Sequence, residues 1–183
     1  MKINDIENIL KEAQKITNHK EYIIIGSISI LGAVLKPPNL MVLSNDLDLY
    51  PKYDPGRALE IKNIIGKNSE YAKKNIYYAD AALPQLANLP EGWKNRLNKL
   101  DFESGVIAWC LEPHDAAISK YARYEDRDKR WIRSGLKAKI LTIPTLEYRL
   151  RETIMELDDM EKAKKALARD KQYIRNLNST GPK

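Results

Sequence analysis

The sequence predicts an α/β (α+β) protein, a mixed-sheet core followed by a C-terminal helical appendage. Three observations carry this. Short β-branched or alternating runs are cut off by Gly26, Pro51 and Pro113. Stretches with helical spacing lie between them. From Thr145 to Asn176 the chain is highly charged and helix-prone, with no strand-like run. We expect a domain over 1–141 and a helical segment over 142–183.

The elements follow in order. Ile3, Ile6, Ile9, Leu10, Ala13 and Ile16 recur at helical spacing, so Ile3–Thr17 is a helix. Tyr22-Ile23-Ile24-Ile25 is a β-branched run ending at Gly26, a buried strand. Ser27–Val34 then reads as a helix, stopped ahead of Pro37-Pro38. Asp46–Tyr50 alternates acidic and apolar residues, which is a strand with both carboxylates on one face. A helix over Arg57–Ile65 ends at Gly66. A strand over Asn75–Ala81 leads into a proline-containing loop over Leu83–Gly92. Val106–Leu111 is a further strand, His114–Tyr124 a helix, and Asp126–Arg133 a short helix closed by Ser134-Gly135. Asn178–Lys183 is expected to fray.

Composition narrows the class. Of 183 residues, 43% are hydrophobic, enough for a globular core. No run of about 18 apolar residues exists, so no membrane span is expected, and the acidic N-terminus lacks a signal-peptide core. The single cysteine, Cys110, makes no intramolecular disulfide, which suits a cytoplasmic protein, and it reads as a buried strand residue. Two histidines, His19 and His114, without a Cys/His cluster argue against zinc. The net charge of +6 permits nucleic-acid binding without requiring it.

The chemistry centres on Asp46 and Asp48. On a strand their carboxylates lie roughly 6–7 Å apart on one side. Like charges that close call for a cation, and magnesium accepts hard carboxylate oxygens together with substrate phosphates; a two-metal arrangement is one form of this. Gly26-Ser27 closes the preceding strand, and a small turn there lets backbone N–H groups approach a phosphate. Each half alone has a plain reading, a solvated strand edge or a helix cap. Their order along the chain favours nucleotide chemistry.

Gly26-Ser27 followed by Asp46-Leu47-Asp48-Leu49-Tyr50 resembles the opening motif of the nucleotidyltransferase (polymerase-beta-like) superfamily. Tyr77-Tyr78-Ala79-Asp80, Leu89-Pro90-Glu91-Gly92-Trp93, Cys110-Leu111-Glu112 and Ser119-Lys120-Tyr121-Ala122 extend the likeness to a group of small bacterial nucleotidyltransferases. That group is similar to AbiEii-type proteins of toxin–antitoxin and phage-defence systems. The likeness covers about Tyr22–Leu141. It implies a nucleoside triphosphate donor, magnesium (or manganese), and transfer of a nucleotidyl group to a hydroxyl of RNA, tRNA foremost, or of protein. A cognate toxin or antitoxin is the implied partner. Asp46 and Asp48 would be metal ligands, Gly26 and Ser27 phosphate contacts, Lys120 a triphosphate contact, and Asp128 the related acidic position. Two features depart from the pattern: 18 residues separate Ser27 from Asp46, and Glu125 stands where the group tends to carry arginine.

The superfamily's third carboxylate, a ligand or a base, is assigned to Asp80; its alternative is a turn cap, and Glu112 and Glu103 are lesser candidates. Lys120, Arg123 and Arg127 are spaced so that one continuous helix would present all three as a phosphate or RNA clamp, against a solvated face as the alternative. Trp131 reads as core. Two rivals stay open: a catalytically inactive scaffold of the same fold, antitoxin-like or regulatory, and an RNA-binding module without nucleotide chemistry.

Overall fold

A computed structural model describes residues 1–83 and 87–179. Residues 84–86 of the expected loop and 180–183 of the expected frayed end lie outside the described residues. The chain forms two compact units: Met1–Ala87 with Lys94–Glu112, and Asn88–Trp93 with Pro113–Lys183.

The first unit is built on a five-stranded mixed sheet. Its strands are β1 (Glu21–Ile24), β2 (Asp46–Pro51), β3 (Tyr78–Ala81), β4 (Asn98–Asp101) and β5 (Ile107–Cys110), in the order β3-β2-β1-β5-β4. Strand β1 pairs antiparallel with β2 and parallel with β5; β2 and β3 run parallel, β4 and β5 antiparallel. Side chains alternate between faces. Tyr22, Ile24, Leu47, Leu49, Ala79, Ala108 and Cys110 share one buried face. The opposite face carries Asp46, Asp48, Tyr78 and Asp80, all half-buried.

Helix α1 (Ile3–Thr17) has the expected bounds and buries Ile6, Ile9, Leu10 and Ala13. The Lys2 N–H donates to Asp5 Oδ2 at 2.7 Å, and Asn18 ends the helix in the left-handed region at φ 58°. Helix α2 (Ala58–Ile65) buries Ala58, Ile61 and Ile65 and packs on α1, β2 and β3.

Two local readings are corrected, and one strand is added. Ser27–Gly32 is a 3-10 helix, not an α-helix running to Val34. It is pressed on β5, where a Cβ on Gly32 would come 2.8 Å from Cys110 Sγ, and short tight segments take this form. Asn75 belongs to a helix, α3 (Glu70–Asn75), capped by the Ser69 hydroxyl; Ile76 turns at φ 68° before β3 begins at Tyr78. Strand β4 has no β-branched residue to announce it, and its pairing with β5 defines it.

The second unit holds α4 (Pro113–Arg123), α5 (Asp126–Lys137), α6 (Ile143–Arg151) and α7 (Leu157–Ser179). Ile118, Tyr121, Trp131, Ile132, Leu146, Leu150, Ala163 and Leu167 form its core. Helix α5 runs through Ser134-Gly135 instead of stopping there. Gly135 is buried, and its carbonyl accepts the N–H groups of Ile140 (2.9 Å) and Leu141 (3.1 Å) beyond the helix end. Among the described residues, no helix is long and apolar enough to cross a membrane.

Candidate active site

The site begins with a period of two. Asp46 and Asp48 project from the same face of β2, and the parallel register with β3 sets Asp48 opposite Asp80 and Asp46 opposite Tyr78. One oxygen from each of Asp46, Asp48 and Asp80 lies within 4.8 Å of the others. Among the described residues these three form the cluster; Glu103 and Glu112 are not part of it.

The surroundings hold the carboxylates in place. The Ser44 hydroxyl donates to Asp46 Oδ1. The Ile25 N–H donates to the Asp48 carbonyl at 3.0 Å, tying β2 to the chain just before Gly26. Gly26 sits at φ 72°, a conformation glycine adopts without penalty. A Cβ there would run into Asp48 Oδ2 and stand 3.0 Å from its Cγ. Gly26 is thus required twice, by its backbone and by the carboxylate seated against it. Ser27 opens the 3-10 helix, and Ser29 Oγ donates to the Gly26 carbonyl at 2.8 Å.

Asp80 Oδ1 accepts two donors, the Ala81 N–H at 2.9 Å and Lys62 Nζ at 2.7 Å. Lys62 lies in the last turn of α2, with its side chain half exposed. Its pKa is raised, first by the hydrogen bond to Asp80 and also by the charge of Asp48. Sequence reasoning missed Lys62, because an exposed lysine near a helix C-terminus is usual on macrodipole grounds and nothing in its spacing points to Asp80. Tyr78 has its phenol pushed up by burial and by Asp46, Asp80 and Asp48, so it remains a neutral donor.

The remaining expected contacts lie in the helical unit. Lys120 is 3% exposed, with its ammonium 3.4 Å from Asp128 Oδ1. Arg123 reaches the same carboxylate at 3.0 and 3.2 Å. Asp128 is 1% exposed; burial raises its pKa, but Arg123 and Lys120 outweigh this and hold it below its ordinary value. Lys120, Arg123 and Arg127 do not share one helix: α4 ends at Arg123, Tyr124 turns at φ 51°, and Arg127 on α5 pairs with Glu125 at 3.3 Å. Trp131 is buried, as expected of core. His114 Nε2 accepts the N–H of Thr142, the residue that precedes α6. Cys110 is buried, its thiol pushed up to about 12 by desolvation, which makes it inert.

Three half-buried carboxylates on rigid neighbouring strands, one seated against a glycine, are a hard-oxygen donor set. They fit a divalent cation of the magnesium type better than a soft metal. Comparison with curated proteins and with solved structures gave no significant match. The profile of one family, described as "nucleotidyltransferase of unknown function" (DUF6036), matches residues 2–177. The carboxylate-bearing strands and the helical unit through nearly all of α7 fall inside that match, and the chain belongs to this nucleotidyltransferase family.

Proposed function

We propose that this protein transfers a nucleotidyl group from a nucleoside triphosphate to an acceptor hydroxyl, at the site formed by Asp46, Asp48 and Asp80. The observation that carries the proposal is the convergence of these three carboxylates within 4.8 Å, in a member of a nucleotidyltransferase family. Asp46 and Asp48 would hold the cation. When bound there, magnesium, or manganese in its place, supplies positive charge to the phosphates and to the attacking and leaving oxygens. Asp80 takes the hydroxyl proton as the acceptor oxygen bonds to the α-phosphorus. The bond from that phosphorus to the bridging oxygen breaks, and pyrophosphate leaves. Gly26 and Ser27 supply backbone and hydroxyl donors to phosphate oxygens. Tyr78, neutral and facing the carboxylates, adds a further donor.

For the acceptor we propose an RNA hydroxyl, with tRNA foremost and a protein hydroxyl as the alternative. The net charge of +6 supports RNA. The resemblance to AbiEii-type proteins supports a place in a toxin–antitoxin or phage-defence pair.

A second reading, an inactive member that binds nucleotide, is favoured by Glu125. It is exposed and paired with Arg127 where the resembling group tends to have arginine.

The test uses each triphosphate labelled at the α-phosphate, with magnesium, bacterial RNA and bacterial protein. Label in RNA or protein with the wild type, and none with Asp46→Asn/Asp48→Asn, is the expected result. No label under any condition, with magnesium–triphosphate still bound, moves the protein to the second reading. Salt-sensitive RNA binding that ignores both triphosphate and the double substitution would make it an RNA-binding module.

A further inference from the structure

Lys62 is held in an unusual position for an exposed helix lysine. Helix α2 packs on β2 and β3 through Ala58, Ile61 and Ile65, which leaves Lys62 at the margin of that interface. From there its stem reaches the carboxylate-bearing face, and its ammonium lies 2.7 Å from Asp80 Oδ1. The same oxygen accepts the Ala81 N–H at 2.9 Å. Oxygen Oδ1 therefore has two donors already, and Oδ2 is the oxygen that Asp80 keeps for chemistry.

Charge counting gives this arrangement a consequence. Three ionised carboxylates carry three negative charges, which two divalent cations would exceed by one. With an ammonium among them the cluster carries two, which one divalent cation cancels. A lysine amine is also a point charge without geometric demands, suited to hold one carboxylate oxygen while the other stays open.

Resting on the nucleotidyltransferase reading above, we propose that Lys62 is a built-in cation of the active site: it positions Asp80 through Oδ1 and takes the place of a second metal ion, so that the protein itself binds one divalent cation, on Asp46 and Asp48. Lys62 is a positioning residue, since it acts through Asp80. Asp80 is thereby kept as the proton acceptor rather than drawn into metal coordination.

Manganese alone, titrated into the full chain and followed by calorimetry and electron paramagnetic resonance, tests this without any turnover. The wild type should bind one Mn2+ per chain, and Asp46→Asn/Asp48→Asn should abolish that binding. Lys62→Met should bind a second Mn2+ and give the spectrum of a spin-coupled pair. Lys62→Arg, which keeps the charge, should bind one. The half-exposed position allows Lys62→Met to fold, and circular dichroism with a denaturant midpoint verifies it. Equal Mn2+ uptake by wild type and Lys62→Met, whether one ion or two, overturns the role given to Lys62 while leaving the nucleotidyltransferase reading intact. No Mn2+ bound by the wild type that depends on Asp46 and Asp48 overturns the metal reading itself, and this inference with it.

Discussion

The two units treat their carboxylates in opposite ways. In the helical unit, Asp115, Asp128 and Asp170 are almost wholly buried and each meets cations or hydroxyls at close range. Asp115 pairs with Arg149 at 3.2 Å. Asp128 sits between Lys120 and Arg123. Asp170 accepts from Arg133 at 2.7 Å and from the hydroxyls of Tyr124 at 2.8 Å and Tyr121 at 3.2 Å. In the sheet unit, Asp46, Asp48 and Asp80 are half-buried and are brought toward one another, with Lys62 serving Asp80 directly and Asp48 through space. Balanced burial is what a carboxylate does for stability, because an unpaired buried charge costs several kcal/mol. Like charges gathered on one sheet face oppose stability and are retained for a ligand of opposite charge.

Substitutions should separate the two classes, and the largest effect belongs to the helical unit. Asp170→Ala strands Arg133 and two tyrosine hydroxyls and should lower unfolding free energy by about 3–5 kcal/mol, read from denaturant curves. Asp128→Asn should cost about 2 kcal/mol through its charge-assisted hydrogen bonds. It carries a pH signature as well. Its folded pKa is depressed, so its contribution is present above the unfolded carboxylate pKa of about 3.9 and is lost as pH falls through the folded value. The acid limb of the stability profile below about pH 4 should therefore flatten in Asp128→Asn. Gly26→Ala, which meets both a positive φ and Asp48, should cost about 1–3 kcal/mol and remove transfer activity together.

The contrast was partly legible in the sequence. Asp46 and Asp48 declare themselves because two residues is the strand repeat, and Gly26 because it ends the apolar run Tyr22–Ile25. Asp80 required a guess at strand pairing, and the β2–β3 register brings it opposite Asp48. Lys62 was invisible, since its partner lies 18 residues away on another element and helix periodicity says only that it is exposed. Lys120 and Arg123 look alike in sequence whether they face a ligand or a buried aspartate, and their pairing with Asp128 is a tertiary fact. Strand β4 and helix α3 escaped for a related reason. Asn98-Lys99-Leu100-Asp101 and Glu70–Asn75 carry little apolar pattern, and pairing with β5 or the Ser69 cap decides their form.

The smallest expected change in stability belongs to the active site, and it tests the central claim most directly. Asp46→Asn/Asp48→Asn should be prepared beside the wild type, and its denaturant midpoint measured together with transfer of α-phosphate label. If the sheet carboxylates are gathered for a cation and a nucleotide, the double variant keeps its midpoint or raises it, and transfers no label. A fall in stability as large as that of Asp170→Ala, or label transferred at the wild-type rate, would contradict the account.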